Sequence, residues 1–293
     1  MTTILTIAEL YPDFEHHLIQ ACNFSTSSST LTQSMQYSLQ AGGKRIRPLL
    51  ALTTCQELGC NVEKAYPIAL ALECIHTYSL IHDDLPCMDD DDLRRGKPSN
   101  HIIYGQAHAT LSGDALNTLA FDILSDPNTN LDSNTCLQVI AEIAKAAGYK
   151  GMVGGQALDL ENENKSVSLS TLESIHRHKT GKLIEASVVS GALVATTNAN
   201  TISTLRTFGQ AIGLAFQIAD DILDVTQNSQ TLGKNAGSDL RKNKSTYPSL
   251  LGMKEAQKLL LTTHKKAIDA LDRLGLPFTN LRNIADYIVA RTS

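Results

Sequence analysis

Residues 81 to 100 read IHDDLPCMDDDDLRRGKPSN, with aspartates at positions 83, 84, 89, 90, 91 and 92 followed at once by Arg94 and Arg95. Two carboxylates held roughly 4 Å apart repel by about 4 kcal/mol at the effective dielectric of a protein surface. Crowding of this kind stands either in a solvated loop, where water disperses the cost, or at a site where a divalent cation removes it. A second acidic group, Asp220, Asp221 and Asp224, lies inside the apolar stretch FGQAIGLAFQIADDILDV. Burying a charge without a partner is costly, so a solvated loop does not account for this group, although it competes for residues 89 to 92 alone. Magnesium meets the requirement: it takes one or two carboxylates, keeps several waters and completes its shell with phosphate oxygens. Zinc does not, because no histidine and cysteine set has the usual spacing.

Cations are placed to receive an anion. GGKRIRP offers Lys44 and Arg47 at the start of a helix, whose free amides also favour negative charge. Arg94 and Arg95 supply guanidinium forks suited to diphosphate oxygens. HKTGKL provides Lys179 and Thr180, and GKNAGSDLRKNKSTYP provides Lys234 and Lys244 on a Gly- and Asn-rich loop able to close as a lid. A single Lys or Arg on a helix is usually a solvated group; only their joint occurrence with the aspartates argues for a phosphate site. Gln217 stands three residues before Asp220 on the same helix side, either a satisfied core amide or a substrate contact.

Spacings of three and four between apolar residues dominate the chain, and strand-like alternation is scarce. Helices are expected at 30–40, 47–58, 66–82, 101–124, 134–147, 170–197, 201–225, 253–274 and 279–290. Ser170 with Glu173 forms a candidate capping box. The helices at 68–81 and 202–225 are apolar on more than one face and so are expected at the centre, and each ends in an aspartate pair. His76, Leu80 and then Asp83 with Asp84 share a face of the first. His176 and His178 read as surface or packing residues, and Gly154, Gly155 and Gln156 in GGQALDL point to close helix packing near the site.

The 293 residues are ample for a sizeable core, and no linker or repeat divides them, so one domain over 1–293 is expected. With 25 Lys and Arg against 30 Asp and Glu, a general nucleic-acid surface is excluded. Cys22, Cys55, Cys60, Cys74, Cys87 and Cys136 form no CxxC pair and no secretory signal precedes them, which predicts reduced thiols in a cytoplasmic protein. The longest apolar stretches are too short or too interrupted to span a bilayer.

The ordered run GGKRIRP, LIHDDLPCMDDDDLRRGKPSNH, SGDAL, GGQALDL, HKTGKL, FQIADDILDV and GKNAGSDLRKNKSTYPSLLG, over residues 36 to 252, resembles the trans-isoprenyl diphosphate synthases, most closely the bacterial farnesyl diphosphate synthases. The resemblance implies an all-α fold of the isoprenoid-synthase type, a helical bundle around a deep central cavity, usually homodimeric. It further implies three magnesium ions, two held by Asp83, Asp84 and Asp89 and one by Asp220 with Asp224, on the diphosphate of an allylic substrate. Arg94, Lys179 and Lys234 would contact that diphosphate. Lys44, Arg47, His76 and Arg95 would bind isopentenyl diphosphate, and Thr180 and Gln217 would steady the allylic cation. One departure stands out: after HKTG the family commonly has an apolar residue where this chain has Lys182, and often a basic one where it has Glu185.

Product length should be set by what blocks the cavity floor. Tyr78 and Ser79 lie one turn or slightly more before Asp83, Tyr78 about 7.5 Å along the axis at 1.5 Å per residue. The Tyr78 ring is expected to stop growth near C15. A small residue there would favour a geranylgeranyl diphosphate synthase. A head-to-head or cyclising terpene enzyme would not need Lys44, Arg47 and His76, and a helical regulatory subunit without chemistry would not need both acidic motifs.

Overall fold

A computed structural model describes residues 6–23, 27–226 and 245–290. Among these, everything regular is helical except one hairpin of two residues per strand. The run IALALECIHTYSLI lies in α5, Tyr66–Asp83. Asn61 caps the 3-10 turn that leads into it, accepting from the Glu63 amide at 3.0 Å, and Pro67 sits in the first turn, where its missing N–H costs nothing. Twelve α5 residues are buried, on every side, which makes it a central helix as its sequence predicts. It packs between α4, Ile46–Glu57, and α7, Gln106–Ser125.

The long helix α12, Ala199–Thr226, departs from expectation in its first half. Thr207 and Gln210 face water there, and only from Ala211 to Asp224 is it buried nearly all round. A further central helix is α11, Lys182–Ala195, buried without interruption from Leu183 to Ala192. Its small residues let neighbours approach to backbone contact: a Cβ on Gly191 would stand 2.3 Å from the carbonyl oxygen of Ala51 in α4. Small side chains hide such a helix from hydrophobicity alone.

Two expected helices are broken. The span 101–124 divides at Gly105, whose φ of 79° ends a short α6, Asn100–Tyr104, before α7 begins. The span 170–197 divides into α10, Leu169–His176, a π turn over Arg177–Gly181, and α11. Its N-cap is Ser168, which accepts from the Thr171 amide at 3.2 Å, so Ser170 and Glu173 form no capping box; Glu173 pairs with Arg177 instead. Helices that the sequence pattern did not mark are α1, Ile7–Leu10, α2, Phe14–Ala21, α8's neighbour α9, Met152–Glu161, and α13, Tyr247–Leu251. The expected α3 (Ser29–Leu39), α8 (Ser133–Ala147), α14 (Met253–Asp272) and α15 (Thr279–Ala290) are present. Among the described residues no helix is long and apolar enough to cross a membrane.

The unusual Lys182 and Glu185 belong to one ionic chain. Glu185, only 5% exposed, accepts from Lys182 Nζ at 3.0 Å and from Arg206 Nη1 at 2.7 Å, and Arg206 also holds Glu142 of α8 at 2.6 Å. The acid at 185 is thus answered by cations on α11 and α12. Removing one partner of a buried pair leaves its charge uncompensated. Arg206→Ala is expected to lower unfolding free energy by about 3 kcal/mol, discounted because Lys182 remains, and urea unfolding at unchanged m-value reads it.

Candidate active site

Asp83 closes α5, and the chain then folds back on it. The amide of Asp89 donates to the Asp83 carbonyl at 2.8 Å, and that of Asp90 to Leu85 at 3.2 Å, with Asp90 in the left-handed region at φ 53°. This return brings Asp89 beside Asp83, so residues six apart share one wall. Burial pushes the Asp83 carboxyl up to about 6, Lys179 opposes that rise and Asp89 adds to it. A carboxylate raised by burial and by a neighbouring carboxylate is stabilised in its charged form by a cation beside it.

Strands β1, Leu93–Arg94, and β2, Lys97–Pro98, pair around Arg95 and Gly96, whose φ values of 55° and 74° suit a tight hairpin turn. Arg94 turns inward and donates through Nε and Nη2 to Asp84, the Nε contact being 2.9 Å. Asp84 is 2% exposed and, unlike Asp83 and Asp89, does not reach the cavity. Arg95 points the other way: its guanidinium donates to the Gly42 carbonyl and covers Gly43, where a Cβ would stand 2.5 Å from Arg95 Cζ.

A second wall of the same cavity comes from α12. Gln217, Asp220 and Asp224 follow at three and four residues and line the same cavity. Thr180 donates to Gln217 Oε1 at 2.9 Å, which leaves the amide nitrogen of Gln217 to donate to Asp220 at 3.3 Å. Thr180 and Lys179 sit on the π turn, a helical irregularity frequent at functional sites. Two glycines admit it. A Cβ on Gly155 would be 2.1 Å from the Lys179 amide nitrogen, and one on Gly213 would be 2.9 Å from the Gly181 Cα. GGQALDL therefore does mark close packing, as its glycines suggest. Lys179 Nζ donates to Asp159 at 2.8 Å.

The third side is cationic. Arg45, with φ 48° and 2% exposed, begins α4 and is fixed by Glu73 at 2.5 Å, Glu15 at 2.8 Å and the Leu39 carbonyl at 2.8 Å. That anchor sets its neighbours Lys44 and Arg47 at the cavity edge, next to His76 of α5. Removal from water pushes Arg47 down to about 10, and its buried Nε has no hydrogen-bond partner. Burial first, and Arg47 and Arg95 next, hold His76 well below the ordinary imidazole range, so it is neutral near pH 7. An unsatisfied cationic donor beside a neutral imidazole suits an incoming anion.

One cavity of about 770 Å³ therefore brings together Lys44, Arg47, His76, Tyr78, Ser79, Asp83, Asp89, Arg94, Lys179, Thr180, Gln217, Asp220 and Asp224. Asp84 and Arg95 stand behind the wall, and Lys234 and Lys244 lie outside the described residues. Sequence reasoning missed Asp159, three residues after Gln156 on the same face of α9, which that spacing could have flagged. His176, expected as a surface or packing residue, packs on Tyr247 with ring centroids 5.4 Å apart, and also lines the cavity 4.0 Å from Asp221. Asp221 also borders the cavity, and accepts from the Tyr247 amide at 2.8 Å, so fastening α13 to α12. Among the described residues no three acidic, histidine or cysteine side chains converge closely enough to hold a metal by themselves.

Comparison with known proteins agrees with this geometry. The polyprenyl synthetase family model matches residues 28–273. The chain is 48% identical over 263 residues to the farnesyl diphosphate synthase of Bacillus subtilis (strain 168), covering 89% of each chain. It is also 48% identical over 264 residues to the geranylgeranyl diphosphate synthase of Cyanophora paradoxa, covering 89% of this chain and 87% of that one. Among solved structures, a geranyltransferase from Helicobacter pylori complexed with magnesium and isoprenyl diphosphate superposes with a TM-score of 0.84 at 35% identity, covering 97% of this chain and 96% of that one. With the family model spanning most of its length, and relatives of nearly half identical sequence spanning nine-tenths of it, this chain belongs to the polyprenyl synthetase family.

Proposed function

We propose that the chain condenses isopentenyl diphosphate head to tail with dimethylallyl and then geranyl diphosphate, releasing farnesyl diphosphate. The observation that carries this reading is the meeting of two acidic groups and a group of cations around one cavity that apolar side chains such as Leu80, Leu85, Met152, Leu172 and Leu223 also line. Magnesium fits the donors: single carboxylates on facing walls, with no self-sufficient cluster among the described residues, leave a coordination shell for water and diphosphate oxygens to complete. Asp83, Asp84 and Asp89 would hold two ions and Asp220 with Asp224 a third; for Asp84 this requires its pair with Arg94 to open. When bound, magnesium neutralises the diphosphate and makes it a better leaving group.

The chain's own residues do the rest. Arg94 and Lys179 would hold the allylic diphosphate by charge-assisted hydrogen bonds, and Lys44, Arg47 and His76 that of isopentenyl diphosphate; Arg95 would join them only by leaving the Gly42 carbonyl, and Lys234 and Lys244, outside the described residues, would add cations to the same diphosphates. The bond from allylic C1 to oxygen breaks, the π electrons of isopentenyl diphosphate form the new bond to C1, and the departing diphosphate takes the proton that restores a double bond. Thr180 and Gln217 place oxygen dipoles near the transient cation, and the apolar lining excludes water that would quench it. Tyr78, 8% exposed and on the cavity wall, together with Ser79 forms the floor. The chain acts as a single domain and as a cytoplasmic homodimer; sedimentation of the purified protein reads the dimer.

Equal identity to a geranylgeranyl diphosphate synthase supports a second reading, in which growth continues to C20. Product chromatography after incubation with isopentenyl diphosphate, geranyl diphosphate and magnesium separates the two. C15 is expected from the native chain and C20 or longer from Tyr78→Ala. A native C20 product overturns the first reading, and an unchanged C15 product from Tyr78→Ala overturns the floor.

A further inference from the structure

Tyr78 does not stand alone at the floor. One turn later on α5, His82 meets it edge to face, with ring centroids 5.8 Å apart and planes at 72°. The imidazole is itself wedged into α7. Its Nε2 lies 3.0 Å from the Thr110 carbonyl, which can only accept, so Nε2 carries the proton. It also fills the space a side chain would occupy at position 113: a Cβ on Gly113 would stand 2.1 Å from His82 Nε2, 2.4 Å from Cδ2 and 2.8 Å from Cε1. The exposed Asp114 carboxylate lies 3.9 Å from Nε2. The ring is held by a carbonyl on one side and a glycine slot on the other, with 28% of the side chain exposed where it borders the cavity.

We infer that His82, seated in the Gly113 slot of α7, is a positioning residue for product length, bracing the Tyr78 ring across the path of the growing chain. The inference rests on Tyr78 forming the floor and adds what keeps it closed. An aromatic ring on a helix has two accessible first-torsion wells. A rigid neighbour one turn away selects between them, whereas an unbraced ring samples both and opens the cavity for part of the time. The brace reaches from α5 to α7, so the residue opposite it that matters is the one with no side chain.

The test is the product distribution from isopentenyl and geranyl diphosphates with magnesium, read as the ratio of C20 and longer products to C15. This ratio does not depend on turnover, which a change next to Asp83 could alter for other reasons. In His82→Ala the ratio is expected to rise by about two- to tenfold, the population change that loss of one edge-to-face ring contact produces. Gly113→Ala, which expels the imidazole while leaving His82 in place, should raise it equally. His82→Phe, which keeps a ring in the slot, should keep C15. In a Tyr78→Ala background, His82→Ala should change nothing further, because there is no ring left to brace. If Tyr78→Ala lengthens the product while His82→Ala and Gly113→Ala both retain C15, the brace is wrong and the floor stands. If Tyr78→Ala itself retains C15, the floor reading falls and the brace with it.

Discussion

Asp83→Asn lowers kcat/KM by about a thousandfold or more, close to 4 kcal/mol of transition-state stabilisation, while the unliganded protein becomes no less stable. The two halves of this expectation come from one cause. Asparagine keeps the shape of the side chain, and the hydrogen bond between the Asp89 amide and residue 83 uses the backbone carbonyl, so the return of the chain is untouched. What is lost is a charge that the fold by itself does not want. Burial raises the Asp83 carboxyl to about 6, so its contribution to stability is full below about pH 4, where it is protonated folded or unfolded, and is lost as pH rises through 6. At neutral pH the ionised group therefore weighs on the unliganded fold, and a neutral amide relieves it. Turnover assays and urea unfolding in a chelator read the two halves. A residue that served packing would move them in the same direction; here they are expected to move apart, as at sites where function is held against stability.

Gly155→Ala lowers kcat/KM by about a hundredfold or more although position 155 carries no reactive group. Its Cβ would stand 2.1 Å from the Lys179 nitrogen and 2.6 Å from the His178 carbonyl carbon, both backbone atoms with no side-chain freedom to yield. The π turn must move outward by about an ångström, a displacement large enough to cost two orders of magnitude when it carries groups that position a reacting diphosphate. Lys179 then loses its register with Asp159 and Thr180 its bond to Gln217. Overpacking adds about 1 to 3 kcal/mol of destabilisation. Steady-state kinetics with geranyl diphosphate, alongside thermal unfolding, separate the positional loss from global unfolding. Retention of native kcat/KM would show that the turn's close seat on α9 does not position Lys179.

Much of this site is legible in the sequence, because the cost of burying carboxylates is a local property. Asp220 and Asp224 stand among apolar residues, where carboxylate charge is costly to hold, so the pattern by itself asks for a cation. The same argument finds Lys44 and Arg47 by their place at a helix start. Other features depend on partners distant in sequence or on geometry that spacing does not encode. The π turn at 177–181 departs from the 3.6-residue period on which sequence spacing is read, and it carries Lys179 and Thr180 into the cavity lining. The Arg94 bond to Asp84 depends on a hairpin whose strands are two residues long, too short for any alternation to reveal. Gly105 breaks the expected helix through its φ of 79°, where the flanking residues read as continuous helix. The centrality of α11 is hidden by Ala186, Ser187, Ser190 and Gly191, whose small size is what lets α4 approach so closely.

If a magnesium-bound diphosphate reconciles the two acidic walls, tight binding of substrate depends on the metal. Isothermal titration of a geranyl diphosphate analogue whose bridging oxygen is replaced by sulfur, with magnesium and again with a chelator, tests this most directly. Binding should weaken by about a hundredfold or more without magnesium, about 2.7 kcal/mol, and Asp83→Asn and Asp220→Asn should each remove most of the difference. Equal affinity with and without magnesium, or a magnesium dependence that survives both substitutions, would contradict it.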